Sequence, residues 1–239
     1  MLHLNRLDKL LADSGQFTRS EARNAIRSGR VTVNGIVESK PEAKYDEESD
    51  RICIDGETIN CASKRYLMLY KPAGVLSATD DPRQPTVLDL LPRSFQRLKL
   101  FPVGRLDKDT TGLLLLTNDG DFAHRVISPK KHVPKRYRAV LDRPVTAEDV
   151  QTFADGIMLA DGTQCLPAVL APSEETTGIV TVYEGKYHQV KRMFASRGKT
   201  VTALHREQIG ALVLDPSLFP GDWRELMGEE LALVFQETL

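Results

Sequence analysis

Leu113, Leu114, Leu115 and Leu116 form an unbroken run of four leucines, preceded by Gly112 and followed by the turn residues Asn118, Asp119 and Gly120. Such a run is too short for a buried helix and predicts a strand over 111–117 inside a sheet. Around it the apolar pattern keeps changing period. Residues 66–70 read as a strand ending at Lys71-Pro72, and residues 86–91 as a helical turn closed by Pro92. Helices are predicted over 121–127, 146–154 and 187–196, the last with the stripe Val190, Met193, Phe194. Further strands are predicted over 136–141, 179–183 and 200–204. Short strands and helices interleaved this irregularly, with several hairpin turns, favour an α+β fold on a mixed, mostly antiparallel sheet over a doubly wound one.

The first 60 residues have a different texture, helical first and then stranded. Leu7, Leu10 and Leu11 give a short amphipathic helix stopped at Gly15. Thr18-Arg19-Ser20-Glu21 is a capping box, in which a hydroxyl and a carboxylate three residues apart satisfy the next helix's first amides. That helix buries Ala22, Ala25 and Ile26 and carries Arg19, Arg23 and Arg27 on another face. Gly29 ends it, and Arg30-Val31-Thr32-Val33 leads into an Asn34-Gly35 hairpin turn. A second short strand ends at Asp55-Gly56. One helix face aiming several guanidiniums outward, followed by the Arg30 turn, points to phosphate binding by Arg19, Arg23, Arg27 and Arg30. The composition shift at residues 60–64 marks a linker. The expected domains are 1–60 and 65–239.

With 239 residues, the chain has room for one large domain or a small one and a larger one. No apolar run approaches the roughly 20 residues of a membrane helix. Met1-Leu2-His3-Leu4-Asn5-Arg6 lacks the apolar core of a signal peptide. Cys53, Cys61 and Cys165 have neither metal-site spacing nor an even count, so reduced thiols in the cytoplasm are expected. The net charge of −1 gives no sign of a polyanionic partner. Phosphate binding, however, needs only a local basic surface. Two stretches, 124–141 and 185–206, contain no acid and together hold Arg125, Lys130, Lys131, Lys135, Arg136, Arg138, Lys186, Lys191, Arg192, Arg197, Lys199 and Arg206.

The segment Gly104-Arg105-Leu106-Asp107-Lys108-Asp109-Thr110-Thr111-Gly112 sets a carboxylate between two apolar strands. Flanking glycines can hold it at the rim of a sheet, open to a cleft. The same residues also describe a surface turn whose Asp caps the next element. Other segments tip the balance. Lys71-Pro72-Ala73-Gly74-Val75-Leu76-Ser77 precedes it, Lys135-Arg136-Tyr137-Arg138 follows, and then comes Glu184-Gly185-Lys186-Tyr187-His188-Gln189-Val190-Lys191-Arg192-Met193-Phe194. In this order and spacing they resemble the conserved blocks of the RsuA-type branch of ribosomal RNA pseudouridine synthases. The front module resembles the alpha-L RNA-binding domain of a small-subunit ribosomal protein, which that branch carries at its N-terminus. The resemblance covers nearly the whole chain.

The resemblance implies an isomerase. Asp107 matches the catalytic aspartate, and Arg105 the arginine expected to fill the space left by the extruded base. Tyr137 matches the tyrosine that packs against that base. Lys191 falls where a basic partner of the aspartate is placed; related branches use arginine there, which leaves Arg192 as the alternative. The bond from ribose C1′ to uracil N1 must break, the base rotate, and C1′ join C5, with no redox change, so no cofactor and no metal is expected. The carboxylate can attack sugar or base, or remove a ribose proton to give a glycal, the route the resemblance favours. The residues 79–88, 124–129 and the short acidic C-terminus look most like the 16S rRNA uridine-516 subgroup, with 23S rRNA enzymes as the alternative. The implied partner is ribosomal RNA, as 16S rRNA or a small-subunit assembly intermediate, with no membrane and a monomeric protein. From another class, a non-catalytic rRNA-binding assembly factor fits the basic faces equally well but needs no Asp107, Tyr137 and Lys191 together. A nuclease holding metal between Asp107 and Asp109 would have a poor cage on one turn. Asp109 reads as a turn carboxylate bonding nearby hydroxyls or amides, and His188 and His205 as structural histidines.

Overall fold

A computed structural model describes residues 4–47, 49–61 and 64–236. The chain divides into two compact units, Met1–Arg65 with Leu91–Leu100, and Tyr66–Leu90 with Phe101–Leu239. The segment 91–100, expected in the second domain, therefore clusters with the first. Its side chains explain why: the Arg97 guanidinium donates to the Phe17 carbonyl at 3.0 Å, and that of Arg65 lies 5.9 Å from the Phe95 ring centroid. Of the expected linker, residues 62 and 63 lie outside the described residues.

In the first unit, β1 (Leu4–Arg6) runs into α1 (Leu7–Asp13), then α2 (Arg19–Arg27), β2 (Val31–Val33), β3 (Ile36–Val37), β4 (Lys44–Asp46), β5 (Ile52–Ile54) and β6 (Glu57–Thr58). The Thr18 capping box is formed, with Oγ1 accepting from Glu21 N at 3.1 Å and Glu21 accepting from Thr18 N at 2.6 Å. Asn34 and Gly35 take φ of 52° and 83°, so the hairpin turn bends with the strand twist. The sheet order is β3-β2-β5-β6, and β1 pairs with β4. Leu7, Leu10 and Leu11 close on Ala22, Ala25, Ile26, Val31 and Ile52 as one core.

The second unit is built on a sheet. Its strands are β7 (Tyr66–Lys71), β8 (Phe101–Pro102), β9 (Thr111–Thr117), β10 (Lys135–Leu141), β11 (Val169–Glu174), β12 (Thr177–Val182), β13 (Val201–Ile209), β14 (Leu212–Val213) and β15 (Trp223–Glu225). The helices are α3 (Gly120–Ile127), α4 (Ala147–Asp155), α5 (Gln189–Ser196) and α6 (Gly228–Leu233). The order β11-β12-β10-β13-β9-β7-β15 is antiparallel at each pairing except β13 against β9. The sheet is thus mixed and mostly antiparallel, as expected.

The leucine run is β9, and its four leucines are all buried, two on each face. Leu113 and Leu115 join a core with Met68, Phe122, Val126 and Ile209. A second core gathers Ala139, Phe153, Val180, Met193, Phe194 and Leu204. The parallel pairing joins the two halves of the sheet through His205 against Thr111 and Arg206 against Gly112. Gly112 permits it: at φ +108°, an added Cβ would lie 2.2 Å from the Arg206 carbonyl oxygen. Nε of Arg206 then donates to the Leu113 carbonyl at 2.8 Å. This seam brings the loop before β9 up against β10 and α5.

Candidate active site

The loop 105–110 enters β9 and is braced from below by the block that ends β7. Lys71 is fully buried, and its Nζ donates to the carbonyls of Pro72, Lys108 and Thr110 at 2.9, 3.2 and 2.9 Å. Burial pushes the Lys71 pKa down to about 8, against the opposing charges of Asp109 and Asp107. Ser77 Oγ donates to the Leu106 carbonyl at 2.9 Å and accepts from its amide at 3.1 Å. Gly74 N donates to the Lys108 carbonyl at 2.8 Å. A loop tied at so many main-chain atoms presents its side chains in a fixed geometry.

Asp107 projects from this loop with 24% of its side chain exposed. Lys191 of α5 brings Nζ to 3.1 Å from Oδ2, and Nε2 of His188 lies 3.3 Å from Oδ1. Lys191 also donates to Oδ1 of Asp109 at 2.6 Å, so one ammonium serves both carboxylates. Burial alone would lower the Lys191 pKa, but its bonds to Asp109 and Asp107 outweigh this and raise it. In return the Lys191 bond holds Asp109 below the ordinary carboxylate value. Asp109 therefore differs from its expected role as a turn carboxylate, because α5 delivers a cation within its reach.

The cleft is walled by Arg105, Asp107, Tyr137, Glu184, Lys186, His188 and Leu204, among others. Arg105 is exposed at its rim. Tyr137 is half-buried, packing on one core while facing the cleft. Arg206, buried behind it, donates from Nη1 to the Tyr137 hydroxyl at 3.4 Å, and its Nη2 is buried without a hydrogen-bond partner among the described residues. Thr110 Oγ1, on the cleft wall, likewise has no hydrogen-bond partner among the described residues. Buried Glu184 organises the far lip, accepting from Leu166 N at 2.9 Å, from Gln189 Nε2 at 3.0 Å and from Lys186 Nζ.

The structure thus brings together Asp107, Tyr137, Lys191 and Arg105. Arg192 is not in this group, because its guanidinium pairs with Asp161 at 2.5 Å. His188 was expected to be structural, yet it touches Asp107. The signal available was its position three residues before Lys191, which puts both side chains on one side of a helix start. Arg206 gave no signal beyond its place at the end of the basic stretch 185–206. His205 does have a structural role: its Nδ1 lies 2.9 Å from Thr111 Oγ1, and its ring meets Tyr70 edge-on. Several cations of the two basic stretches are spent on acids from elsewhere. Arg138 pairs with Glu207 at 2.8 Å, Lys199 with Asp149 at 2.6 Å, and Arg197 with Glu148 at 2.7 Å.

In the first unit the arginines are organised around a buried anion. Asp8 is fully buried and accepts from Arg6 at 3.0 Å and Arg23 at 2.9 Å, with Arg19 at 3.5 Å. Its burial is unfavourable to charge, but the three guanidiniums hold its carboxyl well below the usual carboxylate range. Arg19 and Arg23 still leave about half their side chains exposed, at 52% and 44%. Arg27 is exposed. Arg30 pairs with Asp55 across the β2–β5 pairing rather than standing clear of an acid.

Comparison with known proteins gives a consistent picture. The RNA pseudouridylate synthase family matches residues 65–196, and the S4 domain matches residues 5–52. The chain is 44% identical to an uncharacterised RNA pseudouridine synthase of Bacillus subtilis, over 96% of this chain and 98% of that one. It is 44% identical to ribosomal small subunit pseudouridine synthase A of Vibrio cholerae, covering 97% of this chain and all of that one. For the Escherichia coli protein of the same name the identity is 43%, with 96% and 99% covered. A crystal structure of a pseudouridylate synthase aligns with TM-score 0.69 and 39% identity, over 96% of this chain and 99% of that one.

Proposed function

The chain belongs to the RNA pseudouridylate synthase family, with an S4 domain ahead of the synthase domain, and from that premise we propose that it isomerises a uridine of small-subunit rRNA, uridine 516 of 16S rRNA, with Asp107 as the essential carboxylate. One observation carries the assignment of Asp107. Its two oxygens are held by Lys191 at 3.1 Å and His188 at 3.3 Å, at the floor of a cleft walled by Tyr137 and Arg105. A carboxylate so fixed faces a reacting sugar without having to reorganise.

The target nucleotide must leave its stack to reach that carboxylate, and Tyr137 offers an aromatic face to the extruded base while Arg105 occupies the gap. Asp107 removes a ribose proton, the C1′–N1 bond breaks toward a glycal, and the uracil departs as an anion. Lys191 and neighbouring donors stabilise that developing charge. The base then turns so that C5 bonds to C1′, the ribose proton returns, and the C5 proton is exchanged for one on N1. No atom is gained or lost overall. The S4 unit grips RNA phosphates through Arg19, Arg23 and Arg27, while Arg30 is held by Asp55.

Tritium release from C5-tritiated uridine in small-subunit rRNA transcripts tests the reading. Asp107→Asn should abolish release, a fall of at least about 10³-fold, while RNA binding persists. Turnover by Asp107→Asn near the wild-type rate would remove the assignment.

A further inference from the structure

Next to the reacting carboxylate stands an aromatic pair whose outer ring, Tyr187, has no role in the isomerisation described above. Tyr187 is 75% exposed, and its ring stacks on the His188 imidazole with centroids 3.8 Å and planes 18° apart. The turn that carries them is built rather than loose. His188 has φ of 50°, a left-handed conformation that non-glycine residues rarely adopt. Lys186 N donates to Gln189 Oε1 at 2.9 Å, Gln189 Nε2 donates to buried Glu184 at 3.0 Å, and Arg192 Nη1 reaches the Tyr187 carbonyl at 3.4 Å. The far side of His188 ends on Asp107 at 3.3 Å. One face of the Tyr187 ring is thus covered by an imidazole anchored in the catalytic cleft, and the other is open to solvent. Its hydroxyl has no hydrogen-bond partner among the described residues.

We infer that the outer face of Tyr187 is a second stacking subsite, taking the unpaired base next to the extruded uridine. The inference rests on the reading of the Asp107 cleft as the uridine pocket. Extruding one nucleotide strips its neighbours of a stacking partner, and a rigid exposed ring beside the pocket replaces that partner. The charge around it suits a nucleic acid: Arg105 at the same rim has no ion-pair partner among the described residues. Stacking of this kind accepts any base, so the subsite positions the strand without reading its sequence.

The test uses the full-length protein and a small-subunit rRNA fragment carrying the target uridine in its loop, with 2-aminopurine at each flanking position in turn. Wild type and Tyr187→Trp should quench the probe at one of these positions, and Tyr187→Ala should not. Tyr187→Ala should raise KM about tenfold with a much smaller change in kcat. An abasic nucleotide at that position should raise the wild-type KM equally and leave Tyr187→Ala no further penalty. Quenching and KM unchanged in Tyr187→Ala would overturn the subsite. So would a penalty that persists on abasic RNA, since the ring would then be bracing His188 or meeting another partner. Quenching depends only on binding, so it judges the subsite even if wild type releases no tritium, a result that would sink the uridine-pocket reading instead.

Discussion

Lys71 is fully buried and brings an ammonium with three N–H donors to three main-chain carbonyls. A neutral amine keeps only two donors, so the brace under the Asp107 loop weakens as Lys71 loses its proton, at about pH 8. The folded pKa lies below the ordinary 10.5, which means that the charged form opposes folding. The Lys71 contribution to stability therefore rises as pH climbs from about 8 to about 10.5, while the brace loosens over the same window. We expect kcat to fall above about pH 8 with no loss of melting temperature attributable to this residue. Lys135 is also held near 8 by burial, and Lys135→Gln should leave the inflexion in place. A flat kcat profile between pH 7 and 9.5 would contradict the brace. The sequence made Asp107, Tyr137 and Lys191 legible because their blocks have fixed residue types at fixed order. It could not choose between adjacent Lys191 and Arg192, since that choice depends on which way α5 is turned and on Asp161 lying within reach of Arg192. Nor could spacing along the chain show that Asp109 shares the same ammonium.

At the scale of elements, what could be read from the sequence depended on whether local pattern and tertiary burial agreed. β9 and α2 were legible because a leucine run and a capping box fix their type without help from the rest of the chain. The strand predicted over 200–204 continues to Ile209, because His205, Arg206, Glu207 and Gln208 break the apolar pattern. Pairing with β9 and β10 overrides that local signal. β11 was missed since Pro172 interrupts it, as an edge strand tolerates. The β9–β13 seam gives a direct prediction. Gly112→Ala forces a Cβ into the Arg206 carbonyl and should cost about 3 kcal/mol or more, read as a lower melting temperature together with lost activity. Wild-type stability in that variant would mean the seam is looser than described. On α2, Arg23 is tied to buried Asp8, so a charge reversal there disturbs folding as well as binding. Arg27→Glu is the cleaner probe. It should weaken rRNA binding and lower the slope of log affinity against log salt by about 1; an unchanged slope would remove Arg27 from the phosphate contacts.

Across the whole molecule the net charge is −1, yet an RNA substrate is no contradiction. Much of the charge is paired internally, as with Arg138 and Glu207 or Lys199 and Asp149, while cations such as Arg27, Arg105, Lys130 and Lys131 stay exposed. Among the described residues no helix is long and apolar enough to cross a membrane. Each unit has its own apolar core, and the synthase family match, residues 65–196, covers most of the second unit, where a mixed sheet changes from antiparallel to parallel pairing. The central claim is that this cleft makes one pseudouridine in small-subunit rRNA through Asp107. It is tested most directly by mapping pseudouridines across all rRNA from cells lacking the protein, complemented with wild type or with Asp107→Asn. The account predicts a single small-subunit site, at uridine 516, that vanishes in the deletion and returns with wild type but not with Asp107→Asn. Restoration by Asp107→Asn, or a lost site in large-subunit rRNA instead, would contradict it.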